Sequence, residues 1–382
     1  MANEGYLPRE IWADILTRLP AKVVGQCKCI CKHWCAVIED PSFVELHHFR
    51  AKSRAGGCHL VISSGDCDFR NTSFFSADYG GGLALHLFRC SISDSSDMEA
   101  PVNGLICGYN RGAKSIFIVN PITKEVISLP PFSLPSCSCS GGYFLSSPLV
   151  AFGFDPSTKQ YKVLHIDRRK KEDTHGNLEF LHCECEVFTL GTHSWRKIDV
   201  VPPASQFEFG CNGICLGGVI HWRNFSTGES SRPVDEVVVA FDLKDEIFRV
   251  ISLPRGPSRM PLLVEVGGHL AACQEYLESE NEPEELWILE DYDNWVWVQE
   301  RIMLSPTYIP RPACDLILTN GSIQTGEILL HTPLPPRFPV LEIYYFGRKN
   351  RSLRKIDIAG VPKSDFMRVF NWVENLLSLR DI

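Results

Sequence analysis

Hydrophobic positions follow a helical period at the start of the chain and a strand-and-turn texture over the rest. Between Leu7 and Phe43, residues Ile11, Ile15, Leu16 and Leu19 fall at i, i+4, i+5 and i+8, one apolar stripe of a 3.6-residue period. Pro8 stands where a first helical turn tolerates a missing N–H, and Pro20 ends the stripe. A second stripe of Val23, Val24, Cys27, Ile30, Cys31 and Trp34 keeps the period, Ile38 follows, and Asp40-Pro41-Ser42 closes the unit. Residues 44–57, with several basic side chains and then Gly56-Gly57, read as helix end and linker. A helical unit of about forty residues has a small core and needs a partner or a staple.

From Cys58 onward helical spacing disappears, and short β-branched or aromatic runs alternate with Gly, Pro, Asn and Asp turns. An apolar residue, a turn and a second apolar residue seven positions later recur at Val119/Val126, Phe154/Tyr161, Phe188/Trp195, Phe241/Phe248 and Phe346/Leu353. A looser copy runs from Trp287 to Trp297. The anchors Trp195, Phe248, Trp297 and Leu353 are 53, 49 and 56 residues apart, against a kelch period of about 50. Each unit holds about four strands, enough for one propeller blade. Blades are expected over roughly 98–130, 149–200, 209–254, 262–304 and 313–358, with 58–64, 83–90 and 366–379 joining as a sixth that closes the ring. The expected fold is multidomain: an all-α unit at 1–50, a linker at 51–57 and an all-β kelch-like propeller at 58–382. About six blades are expected, with five or seven as alternatives. A two-sheet sandwich does not account for a repeat kept in one register.

Leu7-Pro8, Ile11, Ile15-Leu16, Leu19-Pro20, Cys29-Ile30-Cys31-Lys32, Trp34, Ile38 and Pro41-x-Phe43 resemble the F-box in the form common in plant proteins. That resemblance implies docking on the Skp adaptor of a Skp–cullin–F-box (SCF) ubiquitin ligase through Leu7, Pro8, Ile11, Ile15, Leu16, Leu19, Pro20, Ile30 and Trp34. Gly25-Gln26 departs from the family's leucine and basic residue, and Cys27 from a larger apolar one. The segments NGLICGY, IFIVNPITKEVISLPP, AFGFDPSTKQYKVLHI, VFTLGTHSWRKIDV and GVIHW, with the closing FMRVFNWVENLLSL, resemble the F-box-associated domain of plant F-box proteins. In that family the domain is a kelch-like substrate-recognition module. The implied partners are the Skp adaptor, through it the cullin and RING subunits, and a target protein to be ubiquitinated. A scaffold that binds the Skp adaptor without ligase activity is the alternative, followed by a propeller enzyme with a helical cap.

The net charge of −8 gives no general surface for nucleic acid or anionic membranes, and no apolar run reaches a membrane span. The N-terminus lacks a basic-then-apolar signal segment, so a cytoplasmic or nuclear location is expected. Sixteen cysteines then read as small buried residues in a reducing compartment. Cys27, Cys31 and Cys35 share one face of the expected second helix, but a zinc site needs ligands from another element. The chain holds no nucleophile elbow, zinc-protease, P-loop or dinucleotide motif, so neither cofactor nor catalytic residue is expected. Propeller rings bind proteins through mixed aromatic and charged loops. Trp222, Phe225, Tyr276, Tyr292 and Tyr308 are the candidates for target-facing loops.

Overall fold

The computed structural model describes residues 8–380 apart from 55, 66–70, 93–96, 111–112, 133–142, 146–148, 173–177, 204–206, 210–212, 227–236, 255–260, 275–283, 303–317, 332–339, 363 and 365–366. Beside some of these positions the strand backbone alone is described.

Four helices open the chain: α1 (Arg9–Leu16), α2 (Ala21–Cys27), α3 (Lys32–Ile38) and α4 (Pro41–Ala51). The expected second helix is therefore two. Cys31 turns extended at φ −160°, and its Sγ accepts the Trp34 N–H at 3.5 Å. An N-cap acceptor of this kind restarts a helix while the apolar spacing on either side keeps its period. Residues 44–51 also differ from the expected helix end, because Asp40-Pro41-Ser42 starts a helix. The Asp40 carboxylate accepts the Ser42 N–H at 2.9 Å, and Pro41 takes the first helical position. The helical core comprises Leu16, Ala21, Val24, Cys27, Val37, Ile38 and Phe43, together with Leu376 from the far end of the chain.

The remaining chain forms six antiparallel blades closed into a ring. Blade 1 takes its innermost strand, Arg368–Val373, from the C-terminus and places it beside Cys58–Gly65, followed by Thr72–Ala77 and Leu85–Cys90. Blade 2 runs outward from Asp97–Met98 through Ile106–Asn110 and Ser115–Asn120 to Glu125–Ser128. Blade 3 is Leu149–Asp155, Gln160–Glu172, Leu178–Thr189 and Arg196–Ile198, with the short strand Tyr143–Leu145 also pairing with Gln160–Glu172. In blade 4, Phe207–Phe209 and Ile214–Leu216 both pair with Val219–Ser226, and Val237–Asp242 and Ile247–Ser252 lie outside them. Blade 5 is Pro261–Val266, His269–Gln274, Glu284–Asp291 and Val296–Ile302. Blade 6 is Leu318–Ser322, Glu327–His331, Val340–Gly347 and Ser352–Ala359, with Gly82–Leu83 of blade 1 added in parallel to its outer edge. The C-terminal strand closes the ring by pairing with the first strand of the propeller, so both ends of the domain share one blade.

The seven-residue repeat has a physical origin in these hairpins. Val119, Phe154, Phe241 and Phe346 are direct cross-strand partners of Val126, Tyr161, Phe248 and Leu353, and the Phe188 and Trp195 rings lie 5.4 Å apart. The looser copy pairs Leu289 with Trp297. Most of the turns between them are built alike. An Asn or Asp side chain accepts backbone N–H groups two or three residues on, as Asn120, Asp155, Asp242 and Asp291 do. A left-handed residue then ends the turn: Lys124, Lys159, Glu246 or Trp295, with φ between 54° and 60°. Phe154/Tyr161 joins the first two strands of its blade, whereas the other pairs join the last two. One turn chemistry thus serves two places in the blade.

Candidate functional site

The helical unit carries more apolar surface than it buries in its own core. Ile11 and Ile15, one turn apart on α1, are 45% and 41% exposed, and Ile30 in the turn after α2 is 64% exposed. Pro8 and Pro20 flank this region and are also exposed. Trp34 is half-buried, its ring 4.9 Å from that of Trp12, and Leu19 is half-buried against the core. Leu16 is the exception among the expected contact residues. At 2% exposure it is internal, because its place on the stripe faces α2 and α3. Leu7 lies outside the described residues. Val23, Leu46 and Phe49 add exposed apolar surface that periodicity had no means of separating from core positions.

The opposite side of the helical unit is fastened to the propeller through Glu374, the residue directly after the closing strand. Its Oε2 accepts the Ala21 N–H at 3.0 Å, at the start of a helix with no side-chain cap of its own, and the Arg54 guanidinium at 2.5 Å. Its carbonyl is 2.9 Å from His48 Nδ1, and its Oε1 is 3.8 Å from His59 Nε2. Burial opposes the charge on His59, but the carboxylates of Glu374 and Asp78 outweigh it and raise its pKa. Burial lowers the pKa of His47 and His48 at the same joint. Farther along α4, Glu45 pairs with Lys159 at 2.8 Å, and the Lys52 carbonyl accepts from Gln324. The helices therefore span one face of the ring from blade 3 to blade 6.

That face holds the tight turns. Leu216 to Val219 and Val266 to His269 are joined by two residues each, and the turns ending at Lys124, Lys159, Glu246 and Trp295 also lie there. The strand ends at the opposite face are separated by longer stretches of sequence, from Ser128 to Leu149, Ile198 to Phe207, Ser252 to Pro261 and Ile302 to Leu318. Of the expected target-facing residues, Trp222 and Tyr292 have described side chains, and neither is an exposed residue of that face. Trp222 is fully buried between blades 3 and 4 and is no contact residue, because strand alternation turns it inward. Tyr292 is half-buried, with its hydroxyl 2.8 Å from the Nε2 of buried His221. Phe225 is placed only as a backbone position opposite Glu208, and Tyr276 and Tyr308 lie outside the described residues. The second helix's cysteines also part: Cys27 ends α2, Cys31 caps α3 and Cys35 lies within α3.

Residues 59–377 match the family model for the F-box associated beta propeller domain, and residues 5–48 match the F-box-like model. This chain belongs to the F-box-associated propeller family. Arabidopsis thaliana relatives span nearly its full length. "F-box protein At5g65850" is 27% identical over 387 residues, covering 98% of this chain and 90% of its own. "Putative F-box protein At4g21240" is 28% identical over 382 residues, covering 94% and 83%. "F-box protein DOR" is 25% identical over 372 residues, covering 93% and 88%. An F-box joined to a propeller is the architecture of an F-box substrate adaptor, and proteins of this family are typically non-catalytic.

Proposed function

We propose that this F-box protein is the substrate-recognition subunit of a Skp–cullin–F-box ubiquitin ligase, acting in the cytoplasm or nucleus. The observation that carries the reading is the exposed apolar surface of Ile11, Ile15 and Ile30 on a helical unit whose other side is fixed to a ring. Exposed apolar side chains grouped in this way mark an interaction surface. The Skp adaptor covers it and brings the cullin and RING subunits. A target protein binds the propeller face opposite the helices, where longer stretches of sequence separate the strand ends. No bond chemistry is asked of this chain. Tethering raises the effective concentration of target lysines near the ubiquitin thioester, which is a proximity effect.

The test is adaptor pulldown with Ile11→Asp/Ile15→Asp against wild type, followed by reconstituted ubiquitination with the cullin complex. The double substitution is expected to abolish adaptor capture with the melting temperature unchanged, and capture at wild-type strength would reject the assignment. Adaptor capture without ubiquitin transfer to any co-purified protein would identify a non-ligase scaffold.

A further inference from the structure

At the helix-bearing end of the ring's central channel the innermost strands enclose a cavity of about 290 Å³. Val102, Ile214, Leu216, Leu262, Val264 and Phe370 make most of its wall. Such a cavity, mainly apolar with a few placed polar groups and near a domain joint, is the usual form of a small-ligand site. Among the described residues one charged side chain lines it. Glu265 Oε1 accepts the Gly268 N–H at 2.5 Å, and Oε2 accepts the Ser322 hydroxyl at 3.1 Å. Both donors are neutral. No Lys, Arg or His lies within 4 Å of this carboxylate among the described residues. Two basic groups near the rim are engaged elsewhere: the Arg348 guanidinium, close to Gly267, pairs with Glu300, and the Lys52 ammonium is 3.3 Å from Asn103 Oδ1.

Glu265 is half-exposed at the cavity wall and its carboxylate meets neutral donors only, so a cationic group entering the cavity forms a charge-assisted bond there. The neighbouring amide is already committed. Asn371 accepts from the Tyr79 hydroxyl and donates to the Ser322 carbonyl at 2.8 Å. Glu265 is therefore the group left to orient a ligand. We propose that this cavity binds a small organic ammonium compound, its apolar body against Val102, Leu216 and Val264 and its charged nitrogen at Glu265. The Val102 side of the cavity adjoins Asn103, which holds Lys52 just after α4, so the ligand sits beneath the helical unit. The proposal is independent of ligase assembly.

Titration of the full chain with phenethylammonium and with neutral 2-phenylethanol, followed by calorimetry and ligand-observed NMR, tests it. The amine is expected to bind at least tenfold more tightly than the alcohol. Glu265→Gln is expected to remove that preference with the circular dichroism spectrum unchanged. Val102→Trp, which fills the cavity and leaves the carboxylate, is expected to exclude both compounds and decides the matter if the glutamine variant does not fold. Absence of amine binding, equal affinity of the wild type for the alcohol, a tenfold amine preference kept in folded Glu265→Gln, or amine binding kept in folded Val102→Trp would overturn the proposal.

Discussion

The helical unit and the propeller treat apolar surface in opposite ways. The ring buries its large side chains between neighbouring blades, with Trp222, Phe241 and Tyr345 at 0% exposure. The helices complete their core with Leu376 from the propeller's C-terminal segment and still leave Ile11, Ile15 and Ile30 in solvent. A repeat that closes on itself can satisfy each blade with the next. A four-helix unit of this size cannot do so, and its stability depends on what it rests upon. The difference teaches that the C-terminal segment serves both parts, its strand Arg368–Val373 as ring closure and the residues after it, Glu374 and Leu376, as floor of the helices.

The largest test of that sharing is Trp372→Ala. Trp372 is buried in the closing strand, and its Nε1–H donates to the Gly104 carbonyl at 2.9 Å. Truncating a buried tryptophan costs about 3–5 kcal/mol, and thermal melting is expected to show helices and ring losing stability together. Separate transitions with the helical one unmoved would break the comparison. Next, Leu16→Ala is expected to cost about 2–5 kcal/mol by denaturant unfolding, while Ile15→Ala, at an exposed position, stays within about 0.5 kcal/mol. Equal effects would contradict the assignment of one residue to the core and the other to the surface.

Both parts should be acid-sensitive, the helices through buried His47 and His48 and the propeller through two buried histidines of its own. Burial lowers His165 to about 4, and it lowers His221 to about 4 against the smaller opposing effect of its backbone hydrogen bonds. Below an unfolded value of about 6.5 the unfolded chain takes up protons that these folded imidazoles refuse. Stability is therefore expected to fall as pH drops from about 6.5 toward 4, with a shallower fall for His165→Gln/His221→Gln in urea midpoints. An unchanged slope would place the acid sensitivity elsewhere. His59, raised at the joint, has the opposite sign, and its contribution fades as pH rises through its folded value. Glu374→Gln keeps the shape but weakens the bonds from Ala21 and Arg54. It is expected to cost about 1–3 kcal/mol and to broaden the helix-to-ring distance distribution measured between spin labels. Lys159→Ala breaks an exposed pair and should shift stability by less than about 0.5 kcal/mol.

Much of this architecture was legible in the residues because it rests on local chemistry. Pro8 and Pro20 bounded α1, and the seven-residue spacing marked hairpins that share one Asx turn. The C-terminal residues 366–379 could be assigned to ring closure because a ring leaves that strand nowhere else to pair. Periodicity gave no sign of the break at Cys31, where a change in backbone angle restarts a helix on the same stripe. It also could not tell Leu16 from Ile15, since both are apolar neighbours on α1 and only packing against α2 and α3 divides them. Trp222 looked like a loop aromatic until strand register turned it inward.

The sequence by itself determined the helical start, the blade repeat and the turn chemistry, because each depends on residues within a few positions of one another. Tertiary structure alone decided that Glu374 would meet Ala21, Arg54 and His59, and that Glu265 would face an apolar channel beside Ser322. Those contacts join residues far apart in the chain, and no local pattern encodes which of them will meet.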